Sequence, residues 1–406
     1  MKNLKDFEEE IYKCSRCGLC QSVCPVYKAS GNECAVSRGK FNILNGIIKG
    51  DLSFSKKVKS YLDMCTGCNA CKNFCPSQID AKQIFVAAKS EYYKLTDLTM
   101  VERLFNSYLL FKILLVTTGF FCSLYRFFRI HNMVQFFEPL ILKFGILGKR
   151  LILFDSLANK TYKNEMIEHQ RSVRKEIKRA LYFDGCFNKY INNQTKNSVI
   201  KILKDAGLEF IKKDFDCCGV SYLYDGNIEY FKNLAIKNLK KFDDNIDFII
   251  TDCSSCYDVL KDYKNYIETE SAQNFSSKVF LVTDFIRNVE FVSQKFFKVA
   301  VHKPCHDSYD FIDIIKKIKN IEYTETKDFD SCCGFSGKFA VQNQEISREI
   351  SRQKAQIYVD SKVDIILTTC PACVLGLNQG LAEIQTESKP MVMNLFVFLA
   401  KYCDKV

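Results

Sequence analysis

Apolar and polar residues follow a different rhythm in each part of this chain. In residues 1–98 the apolar positions keep helical spacing. Phe41, Ile43, Leu44, Ile47 and Ile48 predict one helix, capped by Ser37 and ended by Gly50. Ile79, Ala81, Ile84, Phe85 and Ala88 predict another after Pro76. From Tyr108 to Leu124 the chain is apolar except for Lys112, a few hydroxyl residues and Gly119. A second apolar stretch, Phe136–Phe154, is broken by Pro139, Lys143, Lys149 and Arg150. A bilayer-spanning helix takes about 20 mostly apolar residues, so neither is a clean span. Arg103, Arg126, Arg129, Lys149 and Arg150 flank these stretches. They suit docking to a membrane surface or membrane subunit, with helices buried in the protein as the competing reading. Residues 164–180 are polar and basic and read as a linking helix.

Beyond residue 180 the rhythm changes again. Leu181–Phe183, Phe248–Thr251, Val299–His302 and Ile365–Thr368 are short apolar runs of strand type, each ending shortly before a cysteine. Helical stretches such as Ser198–Ala206 and Ser347–Val359 lie between them. Apolar strands alternating with helices predict a parallel sheet covered on both faces. Such sheets place ligands at the carboxyl ends of their strands.

The cysteines supply the candidate chemistry. Two C-x2-C-x2-C-x3-C-P runs are present: Cys14, Cys17, Cys20, Cys24 with Pro25, and Cys65, Cys68, Cys71, Cys75 with Pro76. Such a run is the ligand pattern of a bacterial two-cluster ferredoxin, where the fourth cysteine serves the other cluster. The expected sets are Cys14, Cys17, Cys20 and Cys75 for one [4Fe–4S] cluster, and Cys65, Cys68, Cys71 and Cys24 for the other. Zinc ribbons also use C-x2-C pairs, but not four cysteines packed this closely ahead of a proline.

A second pattern is an internal repeat. Cys186, Cys217, Cys218, Cys253 and Cys256 reappear as Cys305, Cys332, Cys333, Cys370 and Cys373 at near-constant separation. Five matched positions imply a duplicated domain. Adjacent cysteines cannot point the same way on a regular strand, so Cys217–Cys218 and Cys332–Cys333 belong on loops. Gly219 and Gly334 follow them, which permits positive φ or close backbone approach. One iron–sulfur cluster per repeat is the functional expectation, with structural zinc or redox-active disulfides as alternatives.

Composition narrows the classes. A chain of 406 residues has room for two or three domains. Residues 1–13 are polar, with no secretory signal, so 21 cysteines point to metal ligation in the cytoplasm. The net charge is +11, yet Lys and Arg are scattered and no nucleic-acid motif appears, so no nucleic-acid partner is expected. His302, His306 and Asp307 surround Cys305, and hydrogen bonding near a site is their expected role, ahead of ligation. Cys34, Cys122 and Cys403 fall outside every pattern and read as incidental thiols.

The order of these motifs carries a family resemblance. Two ferredoxin runs, a Ser37-Arg38-Gly39 segment after the first, and two CCG domains resemble the iron–sulfur subunit of bacterial glycolate oxidase. The chain is similar also to the iron–sulfur subunit of anaerobic glycerol-3-phosphate dehydrogenase, the lactate-utilisation iron–sulfur proteins and the CCG-bearing iron–sulfur subunit of heterodisulfide reductase. The resemblance implies a multidomain α+β chain. A helical two-cluster ferredoxin (1–98) leads through a connector (99–180) to a duplicated α/β cysteine-rich CCG domain (181–297 and 298–406). It implies an electron-transfer role beside an FAD-containing dehydrogenase subunit that oxidises a 2-hydroxy acid. Electrons would then pass towards quinone, from a peripheral position on the inner face of the cytoplasmic membrane. The chain has no G-x-G-x-x-G fingerprint, in keeping with a flavin held elsewhere. Arg38 is implied to favour the reduced state of a nearby cluster. The complete C-x2-C element in both repeats departs from the glycolate-oxidase pattern. It resembles heterodisulfide reductases, which makes disulfide chemistry at the CCG sites the alternative function.

Overall fold

The computed structural model describes residues 3–95 and 178–406, apart from 192, 193, 205, 307–310 and 387, with isolated positions 113, 116 and 117 between. Apart from those three positions the docking stretches lie outside the described residues, as do Cys122, Asp307 and residues 164–177 of the expected linking helix, while 178–180 are not helical but open a strand. Among the described residues no helix is long and apolar enough to cross a membrane.

The N-terminal unit is helical. The helices Ser37–Ile48 and Ala81–Leu95 pack Phe41, Leu44, Ile84, Phe85 and Ala88 into one core with Leu4, Phe7 and Ile11. Cys14, Cys65, Cys71 and Cys75 lie against that core. One expectation needs correction. Ser37 is not the cap but the first helical residue, and Val36 precedes it as N-cap. The Ser37 side chain is buried because it turns to a cysteine, as described below.

The C-terminal part holds two sheets of matching order. In the first, β1 (Lys178–Tyr182), β2 (Leu208–Ile211), β3 (Phe248–Thr251) and β4 (Val279–Leu281) lie in the order β2-β1-β3-β4, all parallel. Ala180 pairs with Phe248, and Ile249 with Val279. In the second, β5 (Phe291–Val301), β6 (Lys319–Tyr323), β7 (Ile365–Thr368) and β8 (Met391–Asn394) repeat that order, again parallel. The repeat expected from the cysteines is thus a repeat of whole sheets. A short β9 (Cys403–Lys405), with no counterpart among the strands expected from sequence, runs antiparallel to the start of β5. One apolar core joins both sheets: Val199, Ile202 and Leu203 of the first repeat meet Phe396 and Phe398 of the second.

The N-terminal unit packs on both repeats. Val26 and Ala35 share a cluster with Phe339 and Ile350, and Val86 enters the core of the first repeat. The joint leaves no slack at Gly226, whose φ is +83°. A Cβ there would stand 2.5 Å from Lys89 Cβ and 2.7 Å from the Lys89 carbonyl carbon. Gly226→Ala is therefore expected to destabilise the chain by at least about 1–3 kcal/mol from the left-handed backbone alone. Thermal unfolding measures this, and an unchanged midpoint would mean the joint is loose.

Candidate metal centres

The two ferredoxin runs fold around each other. Cys14, Cys17, Cys20 and Cys75 line one pocket, together with Arg38 and Phe41. Cys71 shares its wall, yet the charges it meets are those of Cys65, Cys68 and Cys24. Cys24 leaves its own run and faces Cys68 and Cys65. Cys75 thus lies with the first run and Cys24 beside the second. Cys17 is exposed, and the Leu19 backbone N–H holds its thiol below the usual range. Burial pushes Cys24 up to about 11 and Cys71 up to about 12. The Ser37 hydroxyl donates to Cys71, which explains why Ser37 turns inward.

Lys40 was missed from sequence. It is fully buried, and its Nζ donates to the carbonyls of Ala35 and, at 2.9 Å, Met64. Among the described residues no ion pair involves it; the thiols it faces are Cys65, Cys24 and Cys71. A buried ammonium without a counter-charge costs several kcal/mol. Thiolates gathered on iron supply that charge, so the residues fit an iron–sulfur cluster. The signal was present: Lys40 falls on the apolar stripe of its helix, beside Phe41 and one turn from Leu44. Arg38 lines the first pocket, where its charge faces Cys17 and Cys20, and it also pairs with Glu33, at 2.7 Å, and reaches the Arg16 carbonyl.

Each CCG site sits at the carboxyl ends of two neighbouring strands. Cys186 follows β1 and Cys253 follows β3; Cys305 follows β5 and Cys370 follows β7. Cys253 and Cys370 cap the helices Ser254–Tyr266 and Pro371–Glu383, which bring Cys256 and Cys373 into the sites from their first turns. Helix N-termini favour thiolates. The glycines act through hydrogen bonding. Gly219 and Gly334 take φ of +88° and +80°, and their N–H groups donate to Cys217 Sγ and Cys332 Sγ, both at 3.4 Å. Such bonds to sulfur tune cluster potential.

The thiols touch in strings. In the first repeat Cys186 meets Cys217 at 3.7 Å and Cys256 meets Cys218 at 3.3 Å. Two thiolates on one tetrahedral metal at about 2.3 Å stand about 3.8 Å apart. Cys217 is held well below the usual range by its contacts with Cys186 and Cys218, and Cys186 is pushed well above it by Cys217. In the second repeat Cys333 is held low by Cys332, and Cys373 is pushed up by Cys333. So many buried thiols ionise together only around a cation, as a metal centre provides.

Two contacts link the sets, and neither is signalled by cysteine spacing. Cys68 of the second ferredoxin set lies beside Cys332 of the second CCG site, whose thiol pushes that of Cys68 well above its usual range. Cys253 of the first CCG site lies beside Cys370 of the second and holds its thiol well below the usual range, and Ser255 Oγ stands 3.9 Å from Cys370 Sγ. Nearby, Ser254 and Thr369 hydroxyls lie 3.2 Å apart, so the repeats meet at equivalent residues.

His302 is fully buried, with its ring within 4.8 Å of Cys333 and Cys373 Sγ. His306 stacks on Tyr224, at 5.5 Å between centroids. Asp252, next to Cys253, is buried and accepts from Tyr182 at 2.5 Å and Asn188 at 2.8 Å; burial pushes its carboxyl up to about 7. Cys34 is half-buried, as is Cys403, whose thiol burial pushes up to about 12.

Known proteins carry the same parts. The 4Fe-4S dicluster domain matches residues 10–79, and the CCG cysteine-rich domain matches residues 180–261 and 299–378. A "Probable glycolate oxidase iron-sulfur subunit" of Bacillus subtilis (strain 168) is 25% identical over 96% of this chain and 93% of its own length. The "Glycolate oxidase iron-sulfur subunit" of Escherichia coli (strain K12) is 22% identical over 89% and 88%. "Lactate utilization protein A" of Oceanobacillus iheyensis is 24% identical over 48% of this chain and 86% of its own. The chain is an iron–sulfur protein related to these subunits, with a helical dicluster ferredoxin unit and two parallel α/β CCG domains.

Proposed function

We propose that this chain is the electron-transfer subunit of a flavin-linked 2-hydroxy-acid dehydrogenase, with glycolate as first substrate and lactate as second. An FAD-containing partner oxidises the acid, and the electrons leave towards quinone at the inner face of the cytoplasmic membrane. One-electron transfer is the chemistry that iron–sulfur clusters supply when bound. In this reading Cys14, Cys17, Cys20 and Cys75 hold one [4Fe–4S] cluster and Cys65, Cys68, Cys71 and Cys24 the other. Each five-cysteine CCG set holds a further cluster.

The observation that carries the reading is the contact of Cys68 with Cys332. It supports a continuous path from the ferredoxin unit to the CCG domains. The contact of Cys253 with Cys370 extends that path into the first repeat. Exposed Cys17, with exposed Leu19 and Phe74 beside the runs, gives the path an opening at the surface. The test is an anaerobic affinity capture from native membranes, followed by addition of 2-hydroxy acid. The isolated chain is expected to stay oxidised with glycolate or lactate. Paramagnetic cluster signals should appear only when the captured flavoprotein is present. Reduction of the isolated chain by substrate would overturn the division of roles.

One observation favours a second reading. Both CCG sites have complete cysteine sets, and they meet at Cys253 and Cys370. Disulfide reduction there would consume two electrons and two protons per disulfide and release two thiols. Retained disulfide-reductase activity in Cys332→Ser would remove this reading.

A further inference from the structure

The two CCG repeats differ at the residue that follows their first strand. Phe183 is the first residue after β1, and its N–H donates to the Ile250 carbonyl of β3 at 2.8 Å. His302 is the first residue after β5, and its N–H donates to the Leu367 carbonyl of β7 at 2.9 Å. Each lies three residues before the first cysteine of its repeat, and both are completely buried. Phe183 packs its ring on Phe215, at 5.1 Å between centroids. In the second repeat the same place is an imidazole.

The imidazole is oriented. Tyr358 donates its one hydroxyl proton to the Val301 carbonyl at 3.0 Å, so its oxygen is free to accept. His302 Nδ1 lies 3.5 Å from that oxygen, which favours the proton on Nδ1. Nε2 then carries a lone pair. It is buried and has no hydrogen-bond partner among the described residues. The ligand atoms of His302, Cys333 and Cys373 all lie within 4.8 Å of one another. A buried nitrogen lone pair without a proton donor is a cost that ligation removes. A metal-bound histidine with its other nitrogen fixed by a hydrogen bond is the usual arrangement.

We propose that His302 Nε2 is a ligand to iron in the second CCG site, making that site a mixed nitrogen–sulfur centre while the first is all-thiolate. This revises the hydrogen-bonding role expected for His302 from sequence, and it rests on the iron–sulfur reading of the CCG sites. Imidazole suits iron, and a neutral nitrogen that takes the place of one of the five thiolates on iron raises cluster potential. The second site is the one that touches the ferredoxin set through Cys68. A higher potential there draws electrons out of the ferredoxin unit.

The test uses the intact, anaerobically purified chain labelled with 15N-histidine, read by pulsed electron–nuclear resonance together with iron and zinc content. The chain has four histidines, so assignment is short. A ligand-strength nitrogen coupling is expected in the wild type. It should be lost in His302→Phe and kept in His306→Gln. The phenylalanine is already accommodated at the equivalent place in the first repeat. The midpoint of the second site should also fall in His302→Phe. Iron in the C-terminal half without such a coupling overturns this inference alone. The wild-type spectrum decides that even if the variant fails to fold. Zinc or no metal in the C-terminal half overturns the iron–sulfur reading itself.

Discussion

Cys24→Ser is expected to abolish the cluster held by the second cysteine run and leave that of the first run in place. Cys24 stands in its own run by sequence but faces Cys68 and Cys65. Its loss removes a ligand from the set that includes Cys68, the residue in contact with Cys332. Delivery of electrons to the CCG domains should fall by more than about 100-fold, since even indirect partners of metal ligands commonly cost 10–100-fold. Paramagnetic resonance of the reduced protein reads the outcome. Cys14→Ser should give the reverse, loss of the other cluster. If Cys24→Ser instead removes the signal that depends on Cys14, each run binds its own cluster and the crossed assignment fails.

Asp225→Asn is expected to loosen the joint between all three units. Asp225 belongs to the first repeat and is 5% exposed. It pairs with Lys338 of the second repeat at 2.5 Å and Lys59 of the ferredoxin unit at 3.5 Å, and Tyr93 donates to it at 2.6 Å. Asp63 pairs with Lys59 at 2.7 Å and Lys89 at 3.2 Å. Removing the Asp225 charge leaves three lysines against one carboxylate. Breaking a buried pair in this way costs about 3–5 kcal/mol. The pH dependence has a definite sign. Burial alone would raise the Asp225 carboxyl, but Lys59 and Lys338 outweigh it and hold it below the usual range. A depressed folded value contributes stability above the unfolded value of about 3.9, and that contribution is lost as pH falls through the folded value. The wild type should therefore exceed Asp225→Asn in unfolding midpoint at neutral pH, and the gap should close in acid below about pH 4. A gap independent of pH would show that packing, not charge, holds the joint.

Local features of the fold were legible because burial writes them into the chain. β3 and β7 are covered on both faces, so Phe248–Thr251 and Ile365–Thr368 stand out as unbroken apolar runs. β5 was read short, from Val299, because Gln294 and Lys295 are exposed where the strand runs beside β9. That pairing joins residues more than a hundred positions apart, which no local period reveals. The same limit hid the contacts of Cys68 with Cys332 and Cys253 with Cys370. Cysteine spacing names the members of each set, but the neighbourhood of the sets is a property of packing. Ser37 looked like a helix cap because hydroxyls usually serve there. In this fold its hydroxyl serves Cys71, and the cap is left to Val36.

The most direct test of the account is the Mössbauer spectrum of the intact, 57Fe-enriched chain, purified without oxygen and recorded before and after reduction. Two [4Fe–4S] signatures from the ferredoxin unit are expected, with further iron that disappears on Cys333→Ser and changes on reduction. A spectrum that contains only the two ferredoxin clusters, with nothing altered by Cys333→Ser, would contradict a path through the CCG domains.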